Sequence, residues 1–411
     1  MITATAIDSC RLCNSTELIS FFSTGNIYIN DFPTTPTGHR GKAEMNLVRC
    51  NDCTLIQLDQ TVDSEVYFEY WYQSKLNKKI VNNLQDIVNE IKQEVSLEKD
   101  DWVLDIGAND GTLLSFYEDL SVTRVGCDPA KSIQDDLSKH SEFQINDLWN
   151  KLAWDAITYS RFKGQKAKVI TAIAMFYDLD DPHQFVKDIQ YTLAPDGVFV
   201  VQLMPARPML DTYDIGNVCH EHLLYYTYKS LSKLFEEHGL EIYKVKENDI
   251  NGGSYQLWIR HGSLYQLAQG SKLGSVQYEE DCSLARLHEW CQQINENRTE
   301  TVEFIHQEVR KGKNIYLYGA STKGNTIAQW YNLNSMHIKG AAEIHPDKLG
   351  RYMVGSRIPI IHEDEARKDA DYFVIIGFGF RDIFIKKEKE FLKNGGKLIF
   401  CTPKFEIIEH G

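Results

Sequence analysis

The sequence has no apolar run near the roughly 20 residues that a membrane-spanning helix needs, so no membrane protein is expected. It also lacks an excess of positive charge. With 44 Lys and Arg against 58 Asp and Glu, the formal net charge is -14, which argues against a general affinity for nucleic acid phosphates or anionic membranes. The first residues, Met1-Ile2-Thr3-Ala4-Thr5-Ala6-Ile7-Asp8, hold neither a basic flank nor an apolar core. No secretory signal is read there, and a cytoplasmic protein is expected. Nor is there a disulfide pattern: the cysteines number nine, and Cys127, Cys219, Cys282, Cys291 and Cys401 are scattered.

What is present has the composition of a globular protein, 43% hydrophobic and 25% charged. At 411 residues the chain is too long for one ordinary core, and three domains are expected. The four remaining cysteines form two C-x-x-C pairs, Cys10-Arg11-Leu12-Cys13 and Cys50-Asn51-Asp52-Cys53. Each such turn presents two thiolates to one ion, so a tetrahedral Zn2+ site is expected; four cysteines leave no open position, which makes it structural. Gly25, Pro33, Pro36, Gly38 and Gly41 give the stretch between them loop composition, and a metal would supply much of its folding free energy.

The spacing of Ile80, Leu84, Ile87, Val88 and Ile91 predicts a helix within 67–97. Then 101–104 reads as a strand, Gly107 to Gly111 as a turn and 112–117 as the start of a helix. A glycine-rich turn here lets a ligand approach the backbone at the carboxyl edge of a parallel sheet. Val125-Gly126-Cys127-Asp128 reads as the next strand, ending in an acid placed to accept hydrogen bonds from ribose hydroxyls. A dinucleotide-binding dehydrogenase shares that acid. The turn, however, reads D-I-G-A-N-D-G-T, with Asp105, Asn109 and Asp110, and this negative turn suits a cationic sulfonium better than a pyrophosphate. The charge favours S-adenosylmethionine, with Asp147 placed against an adenine amino group. Further β-α alternation, with a strand at 169–176, a helix from Asp181-Pro182 and the buried strand Val198-Phe199-Val200-Val201, predicts a doubly wound α/β sheet.

His220-Glu221-His222-Leu223-Leu224-Tyr225-Tyr226 lies in the most polar and aromatic stretch of this segment. It does not have the helical H-E-x-x-H spacing of zinc proteases. On a strand or loop His220 and His222 would share one side with Glu221 opposite, and imidazole suits acid-base work near neutrality. Structural histidines are the alternative.

The chain resembles the sugar C-methyltransferases that act on nucleotide-linked deoxysugars. The resemblance spans nearly the whole length: the paired cysteines, Tyr70-Trp71-Tyr72-Gln73-Ser74, the D-I-G-A-N-D-G-T turn, His220-Glu221-His222-Leu223, Asn251-Gly252-Gly253-Ser254 and Tyr318-Gly319-Ala320-Ser321-Thr322-Lys323-Gly324-Asn325-Thr326. It implies methylation at carbon 3 of a nucleoside-diphosphate-linked 4-keto-6-deoxyhexose through an enolate. His222 is then the candidate base, with His220, Glu221 and Tyr72 orienting the sugar or stabilising the enolate. The implied cofactor residues are Asp105, Gly107, Asn109, Gly111, Asp128, Asp147 and Met175, and the substrate residues are Tyr70, Ser74, Tyr225, Asn251, Lys323 and Asn325. Cys219 stands where the family commonly has an aromatic, and Lys75 where a glycine is usual, a change expected to alter the sugar-facing surface.

A helix is expected over 281–309, then a strand at 314–318 and a turn whose Lys323 and backbone donors can cradle a phosphate. The strand 372–380 departs from the family where Phe378 and Gly379 replace its usual Trp-Asn pair. The composition shift across 261–275 gives a division into a zinc-binding domain (1–68), a class I S-adenosylmethionine methyltransferase domain (69–262) and a Rossmann-like nucleotide-sugar domain (263–411). Two other functions stay open at this level: an O- or N-methyltransferase of a small metabolite, and a non-catalytic zinc- and nucleotide-binding module.

Overall fold

The computed structural model describes residues 1–162, 164–262, 280–376 and 381–409. The expected boundary region from 263 onward lies outside these residues, as do Phe378 and Gly379. Five strands come from the N-terminal segment: β1 (Ala4–Ala6), β2 (Leu18–Tyr28), β3 (Lys42–Cys50), β4 (Ile56–Leu58) and β5 (Gln60–Val62). The middle of the chain adds β6 (Trp102–Ile106), β7 (Thr123–Cys127), β8 (Phe143–Ile145), β9 (Ala167–Ile173), β10 (Leu193–Leu203), β11 (Leu224–Tyr225), β12 (Leu240–Asn248) and β13 (Ser254–His261). The last six are β14 (Ile315–Tyr318), β15 (Gly340–Glu343), β16 (Ile360–His362), β17 (Tyr372–Ile375), β18 (Lys397–Phe400) and β19 (Glu406–Ile408).

The central sheet runs β12-β13-β10-β9-β6-β7-β8. All its neighbours pair in parallel except β13, which is antiparallel to both β10 and β12. This order, in which the strands are added outward in one direction from β6 to β8 and in the other from β9 to β10, is the doubly wound class I arrangement, and it opens a crevice above the carboxyl ends of β6 and β9. Every residue of β6 is buried, as a strand covered on both faces must be. The predicted helix forms over Lys78–Glu94 and buries Ile80, Leu84, Ile87, Val88 and Ile91. It starts later than the apolar spacing allowed because the Asn77 side chain accepts from the Lys79 and Ile80 amides and so sets the first turn. Residues 69–77 are left as an irregular strap with a single turn at Ser74–Leu76.

The C-terminal sheet, β16-β15-β14-β17-β18-β19, is parallel except for β19. The helix Leu284–Arg310 precedes it and carries Trp290, whose ring meets Phe22 of β2 edge-on at 5.4 Å. The N-terminal sheet has the order β11-β4-β3-β2, so a strand from just beyond the His-Glu-His segment completes it. No helix among the described residues is long and apolar enough to cross a membrane.

Candidate active site

Four sulfur atoms gather at one end of the N-terminal sheet. The Sγ atoms of Cys10, Cys13, Cys50 and Cys53 all lie within 4.8 Å of one another, with Cys10 to Cys53 at 3.6 Å and Cys13 to Cys50 at 3.5 Å. The two turns are built alike. In each, the residue after the second cysteine takes a left-handed φ, 59° at Asn14 and 65° at Thr54, and its amide donates back to the first cysteine's carbonyl at 2.9 and 3.1 Å. The Cys10 sulfur also accepts from the Gln57 amide (3.2 Å) and the Leu12 N–H (3.5 Å). Donors aimed at sulfur favour its thiolate, the form a metal takes. The donor set fits a tetrahedral Zn2+.

A cavity of about 1220 Å³ opens above the carboxyl ends of the central strands and is walled by all three parts of the chain. The strap supplies Tyr70, Tyr72 and Ser74; the central sheet supplies Asp105, Gly107, Asn109, Asp128, Asp147, Met175 and Asn251; the turn after β10 supplies Glu221 and His222; and the C-terminal unit supplies Lys323. Four of the sequence-derived positions stand behind the wall. Gly111 sets the turn, with φ 80° and the His140 and Leu137 atoms crowding its Cβ position. His220 is buried with Nε2 3.2 Å from the Ala43 carbonyl. The Tyr225 hydroxyl donates to the Asn217 carbonyl at 3.3 Å. Asn325 donates to Asn30 Oδ1 (2.6 Å) and the Asp31 carbonyl (3.0 Å), tying the C-terminal unit to the N-terminal one.

The turn after β6 does its work differently from the expectation. Asn109, held at φ 51°, accepts from the Ser74 N–H (2.9 Å) and donates to the Tyr72 carbonyl (2.9 Å). Asp110 accepts from the Lys75 N–H (2.9 Å) and from the Thr112 N–H (3.2 Å). Both side chains therefore buckle the strap over the turn and do not face outward. Asp105 is buried with Oδ1 2.6 Å from the Thr171 hydroxyl, and burial pushes its carboxyl up to about 7. The turn thus presents less free negative charge than its sequence suggests. Asp128 also lines the cavity, and its carboxylate accepts from the Asn109 and Ala130 N–H groups (2.8 and 2.9 Å).

Facing it across the cavity, the segment 219–223 is a turn, with the His222 N–H donating to the Cys219 carbonyl at 3.1 Å. Strand alternation fails there, so Glu221 and His222 line the cavity while His220 points away. His222 Nδ1 lies 2.8 Å from the Asn217 carbonyl. A carbonyl only accepts, so Nδ1 carries the proton and Nε2 is left with a free lone pair. Burial, only partly offset by the bond to Asn217, lowers this imidazole to about 4, and it is neutral at physiological pH. Asn217 also takes the Lys323 ammonium on its side-chain oxygen. Lys75 extends away to an ion pair with Asp136 and does not touch the cavity, contrary to its expected effect on the sugar-facing surface.

Asn217, Tyr177 and Asp178 were not legible as site residues. Asn217 sits in an irregular loop with no motif. Asp178 follows β9 at the ligand-binding edge of the sheet, which was the available signal.

A family model described as a methyltransferase domain matches residues 72–245, and one described as a C-methyltransferase C-terminal domain matches residues 249–403. C-methyltransferase NovU from Streptomyces niveus is 25% identical over 413 residues, covering 98% of this chain and 97% of its own. Among solved structures, the mitomycin 7-O-methyltransferase MmcR overlaps 46% of this chain and 55% of its own at 12% identity, with a TM-score of 0.35. A magnesium protoporphyrin IX methyltransferase from Synechocystis PCC 6803 overlaps 44% and 79% at 11% identity, with a TM-score of 0.32. With two successive family models on the segments that wall the cavity and a relative similar from end to end, the chain carries a methyltransferase domain followed by a segment matching a C-methyltransferase C-terminal domain, and it is an S-adenosylmethionine-dependent methyltransferase.

Proposed function

We propose that this chain methylates carbon 3 of a nucleoside-diphosphate-linked 4-keto-6-deoxyhexose through an enolate. The observation that carries the reading is His222: a neutral imidazole whose Nδ1–H is fixed on the Asn217 carbonyl and whose Nε2 opens into the cavity shared with the cofactor turn. A saturated carbon is no nucleophile until it loses a proton, and a neighbouring ketone makes that loss accessible. In this reading His222 Nε2 takes the proton, Glu221 and Tyr72 orient the sugar ring, and Tyr70, Ser74, Asn251 and Lys323 contact the sugar or its diphosphate. His220, Tyr225 and Asn325 act from behind, by holding the wall in place.

The cofactor supplies an electrophilic methyl group when bound. Asp128 would receive its ribose hydroxyls, Asp147 its adenine amino group, and Gly107 the close backbone approach, since at φ 71° a Cβ there would stand 2.9 Å from Met175. The four-cysteine cluster would hold one structural Zn2+, and the working division of the chain remains 1–68, 69–262 and 263–411. Such an enzyme operates in the cytoplasm, where thiols stay reduced.

The test is mass spectrometry of products from a panel of nucleoside-diphosphate keto-deoxysugars incubated with S-adenosylmethionine. A product heavier by one methyl, with loss of a carbon-bound proton, is expected. Methylation that proceeds equally on sugars lacking the ketone would refute the enolate.

A further inference from the structure

Asp178 and Glu221 both line the cavity, and neither carboxyl has an ion-pair partner among the described residues. Glu221 is 2% exposed, and neither of its oxygens has a hydrogen-bond partner among the described residues; the Cys219 thiol, the His220 imidazole and the phenols of Tyr67 and Tyr70 are among its titratable neighbours. Asp178 Oδ1 is likewise buried and unpartnered. The two residues are held together by one hydroxyl, Tyr67 Oη, which donates to the Glu221 carbonyl (2.9 Å) and the Asp178 carbonyl (3.3 Å). Tyr177 stands between Asp178 and the base: its ring centroid is 4.4 Å from that of His222, and its carbonyl accepts from the Leu223 N–H at 2.9 Å. The wall around the pair is otherwise phenolic, from Tyr67, Tyr70 and Tyr177.

Two ionised carboxylates in such a place would each lack solvation and repel one another; one proton held on Asp178 removes one charge and gives that group a donor. Burial, and then the Glu221 charge, drive the Asp178 carboxyl well above the usual carboxylate range. We propose that Asp178 is a further catalytic residue of this site, a carboxylic acid that donates its O–H to the ketone oxygen of the substrate and stabilises the enolate. The inference rests on the enolate reading above.

The step balances. The C–H bond breaks with its proton going to His222 Nε2, and the electron pair moves through the new C=C bond onto the ketone oxygen, which accepts the hydrogen bond from Asp178. As the carbon takes the methyl group, that pair returns to re-form the ketone, with the S–C bonding electrons departing on sulfur. Asp178 keeps its proton throughout, and His222 passes its own to solvent.

The experiment follows deuterium wash-in at carbon 3 by mass spectrometry, using the full chain with S-adenosylhomocysteine in D2O and 4-keto-6-deoxyhexoses linked to thymidine or uridine diphosphate. Asp178→Ala is expected to slow wash-in and kcat by about 10²–10³, with KM and cofactor affinity held within about twofold. Asp178→Asn, whose amide N–H still donates, is expected to retain at least tenfold more activity than Asp178→Ala. Wild-type wash-in that is undiminished in Asp178→Ala overturns the role of Asp178 alone. So does a loss in Asp178→Asn that appears only as a raised KM for amino-bearing sugars, which would make the pair a cation site. A wild-type chain that neither exchanges the proton nor methylates any of these sugars overturns the enolate reading, and this inference with it.

Discussion

Asn109→Gly isolates the buckle between the cofactor turn and the strap. Glycine keeps the left-handed backbone that Asn109 adopts at φ 51°, so only the side chain is lost. That side chain accepts from the Ser74 N–H and donates to the Tyr72 carbonyl, each at 2.9 Å. At about 1 kcal/mol net per hydrogen bond, the strap loses about 2 kcal/mol of closure free energy, and its open population rises about 30-fold. The strap carries Tyr70, Tyr72 and Ser74 into the cavity, so kcat/KM for the acceptor should fall by up to the same factor. Cofactor affinity should fall less, because Asp128 and Asp147 are not on the strap. Amide hydrogen exchange at Ser74 and Lys75 reads the opening directly. Unchanged protection there, combined with a large loss of cofactor affinity, would refute the buckle and return Asn109 to direct contact with the ligand.

His222→Asn should lower kcat by about 10²–10⁴ while leaving S-adenosylmethionine affinity, measured by calorimetry, intact; retained turnover would remove His222 as the base. Tyr225→Phe, which loses only a 3.3 Å bond to a main-chain carbonyl, should leave the acceptor KM within about twofold, and a large KM effect would place its hydroxyl on the substrate. Elemental analysis should find one zinc per chain, lost in Cys50→Ser; a zinc-free chain whose melting is indifferent to chelators would refute the metal site. The folded Asp105 carboxyl titrates at about 7, against about 3.9 when unfolded. Between those values the folded state keeps a proton that the unfolded state releases, so stability should fall as pH rises from about 4 to 7, by up to about 4 kcal/mol. Urea unfolding of the cofactor-free chain at pH 5 and pH 8 measures this slope. Asp105→Asn, which retains an acceptor for Thr171, should flatten it.

The sequence by itself determined whatever depends on local spacing. The two C-x-x-C turns, the helix on Ile80, Leu84, Ile87, Val88 and Ile91, and the strand-turn-helix at Asp105 to Thr112 follow from periodicity and backbone freedom, which neighbours along the chain dictate. The doubly wound α/β class followed as well, because β-α alternation leaves few topologies; the order of the strands and the antiparallel β13 were decided by the fold. Tertiary structure decided where those side chains point and what they meet. Asp110 and Asn109 were legible as polar turn residues, but their partners are backbone groups of a strap more than 30 residues earlier in the chain. His220 and His222 looked equivalent until the turn closed by the Cys219 carbonyl sent one to Ala43 and the other to the cavity. Asp178 and Glu221 gave no sign of lining one cavity, because that is set by the packing of the segment after β9 against the turn after β10. Charge, burial and hydrogen-bond partners act through space, and only the folded chain fixes those distances.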